Sequence, residues 1–203
     1  MADFEPEIEA RLWDEGWIIG GLDEAGRGAL AGPVSAGVVV LNREPAEALR
    51  NAGVRDSKQL TPQQREHLAP MIKEMSRAWG VGFATAEEID ALNIVRATKL
   101  AAMHALDSLS LFPNHLLTDY LILPELEIPQ TALVKGDQRC VSIAAASILA
   151  KTARDALMRA YEVEYPGYGF ARHKGYGTLV HRSAVARLGR CAIHRKTFTI
   201  QLP

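Results

Sequence analysis

The chain has 203 residues, enough for one domain with a full hydrophobic core. With 48% hydrophobic and 23% charged residues, its composition is that of an ordinary soluble globular protein. The first 16 residues are acidic, so we expect no secretory signal peptide, and no apolar run reaches the roughly 20 residues that span a membrane. Cys140 and Cys191 lack metal-ligand spacing, so they form either a reduced pair or one disulfide, and we expect free thiols in a cytoplasmic protein.

The net charge of −1 hides an uneven distribution along the chain. Residues 166–203 contain seven Lys or Arg and no Asp or Glu, whereas residues 1–165 hold 16 basic and 24 acidic side chains. A basic segment joined to an acidic body is typical of proteins that bind a polyanion. A solvated basic face has the same composition, so charge alone leaves both interpretations open.

Residues 17–41 predict two strands joined by a Gly-rich turn. Apolar runs flank a central Gly26-x-Gly28. A dinucleotide-binding turn is excluded because the third glycine is misplaced and the residues that follow are β-branched rather than helical. Asp23 and Glu24 end the first strand. They are either a turn residue and its solvated neighbour, or part of a divalent-metal site beside a backbone-lined pocket for a phosphate or sugar.

The rest of the chain alternates between helical and strand patterns, which predicts an α/β domain. A polar loop containing Ser57 and Lys58 precedes the first long helix, where the two residues either decorate the loop or contact a phosphate. Strands are predicted at 78–84, 115–119 and 131–134. Helices are predicted from Pro62 to about Ser76, from the capping box at Thr85, from Asn93 to Leu109, from Val141 to about Glu162 and from Thr178 to Leu188.

Residues 165–177 are rich in glycine and aromatic residues and match neither a core strand nor a helix. Tyrosines alternate with cations there, and the stretch contains no acidic residue. Rings that stack on bases and cations that meet phosphates are what a nucleic-acid strand requires. The alternative is a set of surface aromatics in a flexible loop.

Carboxylates follow three strands of the predicted sheet. Because strands of one sheet can bring their ends together, residues distant in sequence can form one cluster. Carboxylates crowded in this way raise each other's pKa unless a cation neutralises them, and oxygen-rich clusters bind Mg²⁺ or Mn²⁺. Two such ions about 4 Å apart activate a water and stabilise the leaving oxygen in phosphodiester hydrolysis. The four residues are Asp23, Glu24, Asp119 and Asp137.

Several blocks, in the same order along the chain, resemble the type 2 ribonucleases H, and the bacterial ribonuclease HII group is nearest in length. The resemblance spans about residues 17 to 198. The blocks are Leu22-Asp23-Glu24-Ala25-Gly26-Arg27-Gly28 with Gly32-Pro33-Val34, Asp56-Ser57-Lys58-Gln59-Leu60, Lys135-Gly136-Asp137 with the helix from Ser142 to Lys151, and His173-Lys174-Gly175-Tyr176-Gly177-Thr178.

The resemblance implies an RNase H-like mixed β-sheet flanked by helices, with a C-terminal helical segment. We expect an acidic N-terminal extension (1–16), a catalytic domain (17–163) and a basic loop and helix segment packed on it (164–203). The implied activity is Mg²⁺- or Mn²⁺-dependent cleavage of the RNA strand of RNA–DNA hybrids, and incision at single ribonucleotides embedded in duplex DNA. The products carry 3′-hydroxyl and 5′-phosphate ends. We expect a monomer without membrane association.

The resemblance also assigns roles to residues. The four carboxylates become the catalytic metal ligands. The backbone of Gly26, Arg27 and Gly28 would meet the 2′-hydroxyl that distinguishes RNA from DNA, since glycine lets a backbone come close. Tyr176 would stack on the sugar of the next nucleotide. Further substrate contacts are expected at Ser57, Lys58, Asn93, Ser142 and Lys174.

Two other functions compete with this assignment. Another RNase H-like two-metal nuclease, acting on a different nucleic acid, would need only the carboxylates, whereas the Gly26-Arg27-Gly28 turn together with Tyr176 favours ribonucleotide specificity. A non-catalytic nucleic-acid-binding module would be marked by loss of a carboxylate. All four are present.

Overall fold

The computed structural model describes residues 4–203, in which a five-stranded mixed sheet carries helices on both faces. The strands lie in the order β3-β2-β1-β4-β5, with β1–β2 and β2–β3 antiparallel and β1–β4 and β4–β5 parallel. The predicted mixed sheet with flanking helices is therefore confirmed. The strands are β1 (Ile19–Ala25), β2 (Val34–Val40), β3 (Ala78–Ala84), β4 (His115–Asp119) and β5 (Gln130–Leu133).

The long helices agree with the sequence patterns, since α3, α5, α7 and α9 each lie where one was predicted. Helices α1, α2 and α6 were not predicted; α2 is short and mostly polar, and it buries only Ala46 and Leu49, which lie three residues apart on one face. The helices are α1 (Pro6–Asp14), α2 (Arg43–Asn51), α3 (Pro62–Met75), α4 (Ala86–Leu92), α5 (Ile94–Asp107), α6 (Gly136–Arg139), α7 (Val141–Glu164), α8 (Phe170–His173) and α9 (Leu179–Leu188).

The prediction that residues 165–177 are all loop is wrong, because α8 forms one helical turn within them. Phe170 anchors this turn. Its ring is fully buried, stacks on Tyr168 at 5.2 Å and meets His181 edge-on at 5.4 Å. Gly169, at φ +83°, begins the turn in a left-handed conformation. Four residues are too few to show helical periodicity, so burial of one aromatic ring determines this structure.

Helix α7 lies against one face of the sheet, and α5 lies against the other. Every residue from Val141 to Ala150 is buried, which confirms the prediction of a central buried helix. The approach is close: a Cβ built on Gly21 of β1 would lie 2.2 Å from the carbonyl carbon of Ser142. The glycines of β1 and β2 and the small residues of α7 therefore let this helix pack closely along both strands.

Helix α1 ties the beginning of the described chain to the start of α7. Glu9 is 2% exposed, and its carboxylate accepts hydrogen bonds from the backbone N–H groups of Val141 (2.8 Å) and Ser142 (2.9 Å). These N–H groups have no partner inside their own helix, so a side chain more than 130 residues away caps it. Burial raises the pKa of Glu9 in spite of these bonds. Part of the predicted acidic extension, residues 1–3, lies outside the described residues.

Two further expectations concern the whole chain. Across residues 4–203, no helix combines the length and apolarity needed to cross a membrane. Cys140 and Cys191 are free thiols, as predicted. Burial raises the pKa of the Cys140 thiol, which holds it in the protonated form beside the start of α7.

Candidate active site

Three carboxylates from separate elements meet at one edge of the sheet. Asp23 lies in β1, Asp119 ends β4 and Asp137 lies in α6, and one oxygen of each is within 4.8 Å of the others. Because β1 and β4 are parallel neighbours, their carboxyl ends reach the same edge. Asp23 and Asp137 are 4% and 2% exposed. A donor set made only of carboxylate oxygens suits Mg²⁺ or Mn²⁺.

Glu24 stands apart from this cluster because neighbouring side chains of a strand point to opposite faces. Gly21 faces α7, so Asp23 does too, whereas Leu22 packs in the cluster that contains α5 and Glu24 shares its side. Glu24 Oε1 lies 3.2 Å from Arg27 Nη1, and Oε2 is buried with no hydrogen-bond partner among the described residues. Such an orphaned carboxylate oxygen fits a cation ligand at the edge of the three-carboxylate cluster.

Crowding and burial shift the protonation of these groups. Burial, with the charges of Glu24 and Asp119 adding to it, raises the pKa of Asp23 well above its ordinary value. Burial and the neighbouring Asp56 raise the pKa of Asp137 to about 6, although the ammonium of Lys58 opposes them. A divalent cation would relieve this repulsion, so the electrostatics of the site also fit a metal.

The carboxylates of Asp23, Glu24 and Asp119 line a cavity of about 220 Å³. Lys58 lies at its rim, with Nζ 3.4 Å from Asp137 Oδ2 and the side chain 75% exposed. Burial lowers the pKa of Lys58, but the surrounding carboxylates together raise it by more. The net pKa is therefore raised, and the side chain stays a cation. The lining residues are Asp23, Glu24, Ala25, Gly26, Arg27, Gly28, Ser57, Lys58, Asp119, Lys151 and Tyr176.

The turn after β1 forms one wall of the cavity and presents backbone N–H groups. The carbonyls of Gly26 and Arg27 accept hydrogen bonds from the buried guanidinium of Arg195, both at 2.7 Å. In a trans peptide the carbonyl and the following N–H point in opposite directions, so the N–H groups of Arg27 and Gly28 point away from Arg195. In the described part of the chain, neither N–H has a hydrogen-bond partner.

Tyr176 and Lys151 complete the opposite side. The half-buried ring of Tyr176 has the ammonium of Lys151 at 5.4 Å and the guanidinium of Arg154 at 5.5 Å from its centre. Lys151 also donates to Asp155 Oδ1 at 2.6 Å. Lys151 was not among the predicted site residues, because its spacing to Asp155 is that of an ordinary helical ion pair.

Three of the expected substrate contacts lie outside the cavity lining. Asn93 caps α5, where its Oδ1 accepts from the backbone N–H groups of Val95 (3.0 Å) and Arg96 (3.2 Å). Ser142 is fully buried where α7 meets β1. The ammonium group of Lys174 donates a hydrogen bond to the carbonyl of Ala171. Ser57, by contrast, lines the cavity, and its backbone N–H donates to Ser147 Oγ at 3.3 Å.

Comparison with known proteins identifies the family. The family model described as Ribonuclease HII matches residues 20–201. Ribonuclease HII of Moorella thermoacetica is 52% identical over 191 residues, which cover 94% of this chain and 91% of that protein. The structure of ribonuclease H2 from Pyrococcus horikoshii OT3 has a TM-score of 0.74 at 30% identity and covers 89% of this chain and 93% of its own.

A more distant structure shares the fold alone. Bst-RNase HIII in complex with Mn²⁺ has a TM-score of 0.72 at 21% identity, with 90% of this chain and 67% of that chain covered. The family match spans the carboxylate cluster, the Gly-rich turn and Tyr176 together. The chain therefore belongs to the ribonuclease HII family, the type 2 ribonucleases H that cleave the RNA strand of RNA–DNA hybrids.

Proposed function

We propose that this enzyme also incises duplex DNA at a single embedded ribonucleotide, by two-metal-ion hydrolysis that leaves 3′-hydroxyl and 5′-phosphate ends. One observation carries the proposal: among the described residues, two of the three crowded carboxylates, Asp23 and Asp119, line one cavity together with a turn that has two unpartnered backbone N–H groups. Recognition of a 2′-hydroxyl and cleavage of the adjacent phosphodiester then take place side by side.

The turn supplies the recognition. The N–H groups of Arg27 and Gly28 donate to the 2′-oxygen of a ribonucleotide, which a deoxyribonucleotide lacks. A Cβ on Gly28 would meet no protein atom within 4 Å, so packing inside the chain does not require glycine there. The missing side chain instead leaves room for a sugar. With deoxyribose in its place, two desolvated donors stay unpaired, which costs roughly 1–3 kcal/mol each.

The carboxylates supply the metal ligands. Asp23, Asp119 and Asp137 would hold Mg²⁺ or Mn²⁺, and Glu24 Oε2 would reach the same region from the other face of β1. When bound, the cations stabilise the attacking and the leaving oxygen of an in-line displacement. Lys58, exposed beside Asp137, meets a phosphate of the entering strand.

A duplex with one central ribonucleotide tests this function. Incubated with Mg²⁺ or Mn²⁺, it should be cut once, beside the ribonucleotide, and addition of EDTA should stop the reaction. The matched all-DNA duplex should stay intact, and an RNA–DNA hybrid serves as the positive control. Cleavage of the all-DNA duplex, or cleavage in EDTA, would falsify the proposal.

Replacing Tyr176 with alanine should weaken cleavage at the single ribonucleotide about tenfold or more in kcat/KM. Stacking on an aromatic ring contributes roughly 1–3 kcal/mol per nucleotide, and alanine removes the ring. Tyr176→Phe keeps the ring beside the two cations and should stay within about threefold of the parent enzyme. If the alanine variant cuts this duplex as well as the parent enzyme does, Tyr176 has no stacking role.

A further inference from the structure

One side chain of the C-terminal segment, Arg195, hydrogen-bonds to the backbone of the recognition turn, which we define as residues 26–33. Arg195 is fully buried, and its guanidinium donates three hydrogen bonds into this turn. Nη2 donates to the carbonyl of Gly26 (2.7 Å), Nη1 to that of Arg27 (2.7 Å) and Nε to that of Gly32 (3.0 Å). Every one of these acceptors is a neutral backbone carbonyl.

Burying a guanidinium that has only neutral hydrogen-bond partners costs free energy of desolvation. Burial, and then the charge of Arg154, lower the pKa of Arg195 to about 9. Hydrophobic residues of similar volume often replace buried charges at no loss of stability. What only arginine offers is a planar fork of fixed geometry that binds two consecutive carbonyls at once. The contact therefore sets the orientation of two peptide planes.

We propose that Arg195 is a positioning residue for ribose discrimination: it turns the Gly26 and Arg27 carbonyls inward, so that the N–H groups of Arg27 and Gly28 face the 2′-hydroxyl. The inference rests on the proposed function of these N–H groups. Without the guanidinium of Arg195, the carbonyls of Gly26 and Arg27 turn toward other hydrogen-bond donors. The N–H groups of Arg27 and Gly28 then lose their alignment. Binding of the DNA phosphates, which uses other side chains, is unaffected.

Tyr168 provides a control in the same C-terminal segment. It is buried, and its hydroxyl donates to the backbone carbonyl of Gly189 at 3.0 Å. Arg154, the other buried arginine at this turn, is unsuitable because it packs against Gly26 and lies 5.5 Å from the centre of the Tyr176 ring. Tyr168→Phe therefore removes a buried hydrogen bond to a backbone carbonyl that lies outside the recognition turn.

The test measures ribose preference separately from activity. Each substitution is made in full-length Asp23→Asn protein, and fluorescence anisotropy in Mg²⁺ gives the affinities for a single-ribonucleotide duplex and for the all-DNA duplex. Arg195→Lys should reduce the ratio of the two affinities at least fivefold and change the all-DNA affinity by less than twofold. Tyr168→Phe should leave the ratio unchanged. Thermal melts are recorded for every variant.

The outcomes separate the two proposals. If the Asp23→Asn parent shows no ribose preference, the proposed function fails. If the parent prefers the ribonucleotide and Arg195→Lys keeps that preference, the inference about Arg195 alone is overturned. Arg195→Gln, which has no charge to bury and a single NH₂ donor, is measured by the same criteria if the lysine variant does not fold. Failure of both variants to fold would give Arg195 a structural role only, and overturn the inference.

Discussion

Asp23→Asn should abolish cleavage and at the same time stabilise the metal-free protein. We expect activity on an RNA–DNA hybrid to fall by roughly 10³-fold or more, because a lost metal ligand removes several kcal/mol of transition-state stabilisation. Asp23 is 4% exposed, and burial together with the charges of Glu24 and Asp119 disfavours its ionised form. Asparagine has nearly the same shape and no charge, which removes that repulsion.

The stabilisation should depend on pH in a defined direction. The pKa of Asp23 is raised in the folded state, so between its unfolded and folded pKa values the native protein binds more protons than the unfolded chain, and stability falls as pH rises. Below about pH 4 the carboxyl is protonated in both states and resembles the amide. The gain in unfolding free energy from Asp23→Asn should therefore be small at pH 4 and reach roughly 1–3 kcal/mol at neutral pH.

Chemical denaturation with and without Mg²⁺ measures both effects. The parent protein should gain stability as Mg²⁺ is added, by the linkage between ligand binding and folding, and Asp23→Asn should gain much less. Asp107→Asn, an exposed acid at the end of α5, is the control and should change neither activity nor the response to Mg²⁺. A variant that is less stable than its parent at pH 7 without metal would show that the carboxylates do not repel each other.

Local sequence patterns predicted the parts of the site that strands position. Periodicity located β1 and β4, and parallel pairing of Leu22 with Thr118 brings their ends together, so the approach of Asp23 to Asp119 followed from topology. The small residues from Ser142 to Ala150 likewise identified the helix that packs on the glycines of β1. In these segments each local preference agrees with the packed structure.

The parts that sequence could not provide depend on which side of an element a group faces, or on contacts between distant segments. The period of the strand points Glu24 to the opposite face from Asp23, so the two residues line the same cavity from different sides of β1 although they are adjacent in sequence. The basic C-terminal segment suggested phosphate contacts, yet Arg195, one of its seven cations, is fully buried against backbone carbonyls. Charge counts record how many cations a segment has, but burial decides which of them can meet a phosphate.

Two glycines of the recognition turn should respond in opposite ways to a single added methyl group. Gly28→Ala should leave the unfolding free energy within about 1 kcal/mol of the parent, because a Cβ there meets no protein atom within 4 Å. Its cleavage of the single-ribonucleotide duplex should fall by roughly 10- to 100-fold, because the methyl group fills the space meant for the sugar and a displacement of about 1 Å can cost 10²-fold.

Gly26→Ala should instead damage the fold. Gly26 adopts φ +92°, and a Cβ there would lie 2.0 Å from Arg154 Nε, so backbone strain and overpacking combine to a loss of roughly 2–5 kcal/mol. Thermal melts and single-turnover cleavage of both variants separate the two effects. A fully active Gly28→Ala enzyme would mean that the backbone at Gly28 does not approach the sugar. A destabilised Gly28→Ala protein would mean that the protein's own packing, rather than the substrate, requires glycine at this position.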